Sequence, residues 1–260
     1  MAQADNEEKL RDYYDALYRA WGAQHWWPGE TAFEVIVGAY LTQNTAWTNV
    51  ERALENLRVA EVLSLDDIRK IKVARLERLI RPSGYFRQKA ARIKTFVAFL
   101  DREYGGSLEN LFSQPTERVR EQLLALNGVG PETADSILLY AGNHPVLVVD
   151  AYTRRVLERH GILPGKPAYE EIRQLFEGAL APVAVKQETP VSHHRVTEAR
   201  KFRLPTTAHM PSVMSSAKRS ALAQVYNEMH GLIVGIGKHF CGKSQAQCDG
   251  CPLQGFLPKR

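Results

Sequence analysis

Apolar positions recur along most of this chain at the three-to-four-residue interval of amphipathic helices. The pattern covers roughly 6–21, 31–44, 46–58, 64–70, 73–80, 86–104, 116–126, 131–143, 150–160, 168–180 and 217–240. Strand-like alternation is scarce. The connections are short and carry Gly, Pro or Ser, as at Pro28-Gly29, Pro82-Ser83-Gly84 and Gly105-Gly106-Ser107. The pattern predicts an all-α protein. The apolar run VLVV before Asp150 could pass for a buried strand, but no partner strands accompany it, so it reads as the entry to a helix. Residues 182–217 break the pattern. They are rich in Pro, Ser, Thr and His without a sustained period, which predicts a long surface insertion, flexible at least in part.

Composition adds little to that picture. Of 260 residues, 44% are hydrophobic and 24% charged, enough for one large domain or two modest ones with a real core. The formal net charge of +5 favours a polyanionic partner, although a basic surface also serves solubility alone. No apolar stretch is long enough to span a membrane, and the charged, amphipathic start lacks a signal-peptide core, so a cytoplasmic protein is expected. The three cysteines fall within Cys241–Cys251. They make no disulfide framework and read as a metal-ligand cluster or its remnant.

Candidate chemistry concentrates in LNGVGPETADSILLYAGNHPVLVVD, residues 126–150. Gly128 and Gly130 suit a tight turn with positive φ that lets another molecule approach the backbone. Helical spacing follows, so free N–H groups at a helix start face outward, an arrangement that suits a phosphate. Asp150 closes an apolar run, its carboxylate at the edge of a core. A plain turn between helices plus a helix-capping Asp would account for each half taken singly.

Four segments taken together resemble the helix-hairpin-helix DNA glycosylases, the superfamily that includes endonuclease III. They are FEVIVGAYLTQNTAWTNVERAL (33–54), SGYFRQKAARI (83–93), the hairpin with Asp150, and HGLIVGIGKHFCGKSQAQCDGCPL (230–253). The resemblance implies two helical domains with a DNA-binding cleft between them. A six-helix barrel with the hairpin would span 30–145; 1–29 and 146–260 would form the second domain and carry the Cys loop. It also implies a monomer whose partner is double-stranded DNA containing a damaged base. Asn127, Gly128, Val129, Gly130 and Thr133 would grip one strand through backbone amides, with a monovalent cation on the hairpin carbonyls. Gln43 would fill the gap left by a flipped base and Tyr85 would wedge into the opposite strand. Lys89 and Arg92 would lie near phosphates, and Lys238 could meet one. A charged helix face is the alternative for Lys89 and Arg92.

The same resemblance makes Asp150 the catalytic carboxylate, stabilising positive charge on the sugar as the base departs or activating a water. Burial is expected to raise its pKa somewhat while leaving it ionised at neutral pH. Bifunctional members carry a Lys after the hairpin, where this sequence has Glu132, eighteen residues before Asp150 as in the family. Without that amine no Schiff base forms there, so the expectation is a monofunctional glycosylase in base excision repair, without AP-lyase activity. Glu132 itself suits a helix N-terminus. The adenine glycosylases' catalytic Glu is replaced by Ala39.

Trp26 and Trp27 of HWWPGE, with Trp47, resemble the base pocket of the 3-methyladenine branch. Core packing is the alternative, but two adjacent tryptophans are not expected to face one core together. Alkylated purines are therefore the expected substrates. Oxidised, deaminated or mismatched pyrimidines are the alternative, and a non-catalytic helix-hairpin-helix DNA-binding module is the alternative of another class. Cys241, Cys248 and Cys251 match three ligands of the family's [4Fe–4S] loop, while the fourth position is Leu257. A cluster with a substitute such as His239, a loop without one, or zinc on three Cys and one His stay open.

Overall fold

The protein is described by a computed structural model covering residues 2–163, 165–188 and 209–258. Its helices are α1 (Ala2–Trp21), α2 (Ala32–Thr42), α3 (Trp47–Val59), α4 (Leu65–Lys70), α5 (Val73–Leu79) and α6 (Phe86–Tyr104). There follow α7 (Leu108–Phe112), α8 (Thr116–Leu124), α9 (Pro131–Ser136), α10 (Ala151–Arg159), α11 (Tyr169–Glu188) and α12 (Ala221–His239). No strand occurs among the described residues; the one β feature there is an isolated bridge between Cys241 and Ala246. The fold is all-α, as the apolar spacing predicts. Five-residue α7 escapes that reading because it is too short to show a period. Its Ser107 cap, accepting from the Asn110 amide at 3.1 Å, is the only local signal.

The chain divides into two compact units. One comprises Pro28–His144 with Ser212–Ser215 and holds α2 to α9. Its centre is α2, buried from Phe33 to Leu41 and packed against α3, α6 and α9. A helix apolar all round must be enclosed in this way. Its single charge, Glu34, is paired with the Arg58 guanidinium. The other buried carboxylate of this unit, Asp135 on α9, receives two bonds from Arg120 on α8, at 2.6 and 3.1 Å. Such a bidentate partner is what makes a buried charge tolerable. After α9 the chain widens into a π-type stretch at Ile137–Ala141, closed by the Gly142 amide on the Ile137 carbonyl.

The other unit comprises Met1–Trp27, Pro145–Pro211 and Ser216–Arg260. Here α11 packs on α1 and α12, and α10 packs on α12. Two glycines notch α12. A Cβ at Gly237 would lie 2.0 Å from the Tyr152 ring, and one at Gly231 would lie 2.9 Å from Gln24 and 3.2 Å from Trp26. The run Pro145–Val149 is extended and buried without being a strand. The Leu147 amide donates to Glu177 Oε1 at 3.0 Å and the Val149 amide to the Tyr169 hydroxyl at 3.2 Å, so α11 side chains replace a neighbouring strand.

The predicted insertion needs correcting at both ends. α11 runs on to Glu188 through exposed Pro182, which forgoes one backbone bond on the solvent side. At the far end the His209 amide donates to the Gln24 carbonyl, and Met214 and Ser212 bond the backbone of Gly29. The basic residues Arg195, Arg200, Lys201 and Arg203 lie outside the described residues.

Candidate active site and nucleic-acid interface

In the hairpin the Val129 amide closes the turn on the Leu126 carbonyl, and buried Val129 anchors it while Asn127, Gly128 and Gly130 stay exposed. Gly128 has φ +78°, and a Cβ there would fall 2.0 Å from Arg92 Nε, so glycine is required twice over. Gly130 departs from expectation. Its φ of −94° and ψ of 174° are extended, and a Cβ there would meet open space. Pro131 then starts α9, with Glu132 in its first turn and Thr133 buried.

Against this turn lies Gln43, at the C-terminal end of α2. Its amide nitrogen donates to the Gly128 carbonyl and to Thr133 Oγ1, both at 3.0 Å. Its oxygen accepts from Arg92 Nη1 at 2.5 Å. Gln43, Gly128 and Thr133 are thus brought together, and Arg92 secures the group, a task beyond the phosphate contact expected of it. Tyr85 is 67% exposed and held left-handed at φ 44° just before α6, a costly state for an aromatic residue.

Lys89 overturns its expected role. It is 1% exposed, and its ammonium donates to the Leu41 carbonyl, Thr45 Oγ1 and the Ser83 carbonyl at 2.8, 2.7 and 2.6 Å. All three donors are used internally, so this lysine staples the loop after α2 instead of meeting a phosphate. Burial first, and the neighbouring Arg92 charge second, lower its pKa to about 8. A charged helix side chain and a buried staple look alike in sequence.

In the other unit Asp150 is the N-cap of α10. Its Oδ1 accepts from the Thr153 amide at 2.8 Å and from Thr153 Oγ1 at 3.0 Å, and its own amide donates back to Thr153 Oγ1. Oδ2 faces His230 Nε2 on α12 at 3.6 Å. Burial pushes the carboxyl pKa up, but His230 and the Thr153 bonds outweigh it and hold the group below its ordinary value. The expected rise is therefore reversed, because sequence gives burial but not the partners that oppose it.

Trp26 and Trp27 are 5% and 6% exposed, so both adjacent rings are buried, contrary to expectation. Their centroids lie 5.6 Å apart at 65°, and Trp26 also packs on His209 at 5.3 Å and edge-on to His230 at 6.0 Å. Trp47 belongs to the unit built around α2. It is half-buried and its Nε1 donates to Glu51 at 2.7 Å. The Cys loop follows α12. Arg155 Nε donates to the Cys241 carbonyl at 2.6 Å and Arg159 Nη1 to Cys241 Sγ at 3.1 Å. Burial first, then the adjacent Cys248 and Cys241, raise the Cys251 thiol pKa. Among the described residues no group of three His, Cys, Asp or Glu side chains is arranged around a single metal ion.

Known proteins align with this framework. Residues 37–182 match the family described as HhH-GPD superfamily base excision DNA repair protein. Over 250 residues, 96% of each chain, the sequence is 38% identical to a Methanocaldococcus jannaschii protein provisionally named a DNA repair glycosylase. The chain belongs to the HhH-GPD superfamily. It is similar to endonuclease III of Thermotoga maritima, 35% identical over 223 residues covering 85% of this chain and 80% of that one. Among solved structures it resembles the H. pylori 3-methyladenine DNA glycosylase bound to 1,N6-ethenoadenine. The TM-score is 0.67 at 30% identity, over 90% of this chain and 97% of the other. A non-covalent endonuclease III–DNA complex at 20% identity shares the fold, with a TM-score of 0.67 over 96% and 94%.

The protein is thus an HhH-GPD DNA glycosylase of base excision repair. No helix among its described residues is long and apolar enough to cross a membrane. For this glycosylase the sequence reading missed His230 and Thr153. The spacing Asp150-x-x-Thr153 is a legible capping signal. His230 had none, since one histidine on an apolar helix face looks like any core residue.

Proposed function

We propose that this glycosylase is monofunctional and removes alkylated purines such as 3-methyladenine from duplex DNA. The observation that carries the first part is the pairing of an ionised Asp150 with Glu132 at the place where the Schiff-base amine would stand. In this reading the base leaves with the glycosidic electrons, and Asp150 stabilises the positive sugar. Water adds to C1′, and its proton passes to the carboxylate. The hairpin amides of 127–130 hold a phosphate, Gln43 fills the vacated stack and strained, exposed Tyr85 wedges the partner strand.

The choice of lesion rests on half-buried Trp47 and on the likeness to the 3-methyladenine enzyme. Alkylated purines are cationic, and an electron-rich ring attracts a cation by roughly 0.5–2 kcal/mol. The likeness to endonuclease III supports a second reading in which the substrates are damaged pyrimidines. Duplexes carrying a 3-methyladenine analogue, 7-methylguanine, uracil, a G·T mispair or thymine glycol separate the readings. Breaks at alkylated purines only after alkali are expected. Breaks without alkali that borohydride traps as a covalent complex would overturn the monofunctional reading, and cleavage confined to pyrimidine lesions would overturn the substrate.

The Cys loop would hold a [4Fe–4S] cluster through Cys241, Cys248 and Cys251. His239, whose buried Nε2 has no hydrogen-bond partner, would supply the fourth ligand in place of Leu257. Its part would be to brace the loop after α12. A monovalent cation at the hairpin would draw on its carbonyls, although that of Gly128 is already committed to Gln43.

A further inference from the structure

The two oxygens of Asp150 have different neighbours. Oδ1 takes two hydrogen bonds from Thr153, which is enough to orient the cap of α10 and leaves that oxygen occupied. Oδ2 is the oxygen left for chemistry, and the imidazole of His230 stands 3.6 Å from it. The carboxylate side chain is 13% exposed and the imidazole 5%, so little water screens the pair. Tyr152, two residues on, also feels the Asp150 charge; burial first and that charge second raise its phenol pKa.

His230 is itself held from behind. Trp26 lies edge-on to its ring at 6.0 Å, and the next residue, Gly231, lacks the Cβ that would push Trp26 and Gln24 away from α12. One imidazole therefore connects the aromatic pair to the free oxygen of the carboxylate.

Resting on the reading of Asp150 as the catalytic group, we propose that His230 is its positioning residue, directing Oδ2 and coupling that direction to the seat of Trp26. The Nε2 edge of the imidazole faces Oδ2 at 3.6 Å and restrains it by electrostatic attraction across that gap. Thr153 holds the planar carboxylate by its Oδ1 edge, and a contact on Oδ2 stiffens the same Cβ–Cγ torsion from the opposite edge. A stabilising contact on Oδ2 also keeps the carboxyl ionised in a site where burial works against charge, in agreement with its lowered pKa.

The test uses the full chain and single-turnover excision from the lesion duplex identified above. For His230→Ala the expected result is a rate loss of roughly 10- to 100-fold, the scale of losing one polar contact to a charged group. Affinity for the duplex should stay within about twofold. The ¹³C titration of the Asp150 carboxyl should move upward. His230→Gln places an amide donor near the same spot and should recover most of the rate and return the titration toward the parent. Far-ultraviolet circular dichroism checks the fold; should the Ala variant not fold, the Gln variant and the parent titration decide. An unchanged Asp150 titration, or a Gln variant no better than Ala, would overturn the inference. Full activity in Asp150→Asn would instead remove the reading beneath it.

Discussion

The hairpin and the Asp150 cap are the two helix starts to which the proposed mechanism assigns DNA grip and chemistry, and they are built in opposite ways. At the hairpin the main chain is displayed, with Asn127, Gly128 and Gly130 exposed. Side chains behind it do the holding: Val129 is buried and Gln43 is tied by Arg92. At α10 the main chain is sealed by a reciprocal Asp–Thr cap, and a single side-chain oxygen is left facing an imidazole. The difference suits the roles proposed for them. Gripping a phosphate needs outward donors of no particular identity, whereas stabilising a positive sugar needs one charge in one place with little water.

Three changes should sharpen that contrast. Asp150→Asn should have the largest effect, lowering single-turnover excision by about 10²- to 10⁴-fold. DNA affinity should stay nearly constant, because the proposed grip lies on the hairpin. Parallel loss of rate and affinity would mean that the two helix starts are not separable. Because the folded pKa of Asp150 is depressed, its ionised form is kept down to its folded pKa and is lost only below it. The excision rate should therefore show no acid limb from this group across about pH 5–8.

Lys89→Met should come next, acting on stability. It strands two carbonyls and a hydroxyl in the loop after α2, at a cost of about 2–4 kcal/mol. A thermal melt should fall by roughly 4–12 °C. Loss of DNA affinity in a variant melting like the parent would return Lys89 to the phosphate role. The smallest effect is expected for Gly128→Ala, which forces a Cβ onto positive φ and into the Arg92 guanidinium. Binding to an abasic-site duplex should weaken roughly tenfold, about 1.4 kcal/mol, with excision from the saturated complex unchanged. A Gly130→Ala control should be nearly silent, since that position is extended and open.

Much of this was legible in residue order. Helical spacing marked eleven of the twelve α-helices among the described residues, missing only the short α7, and the order of hairpin, Glu132 and Asp150 pointed to the superfamily. These are local properties: a period, a turn that needs glycine, a fixed separation along the chain. Tertiary structure decided which polar side chains face inward. It turned Lys89 from a phosphate ligand into a staple, buried both Trp26 and Trp27, drew Arg92 onto Gln43, and set His230 beside a carboxylate eighty residues away in the chain. Direction and partner depend on contacts between distant segments, and it is those contacts, with their hydrogen bonds and low dielectric, that set the charge and aim of Asp150.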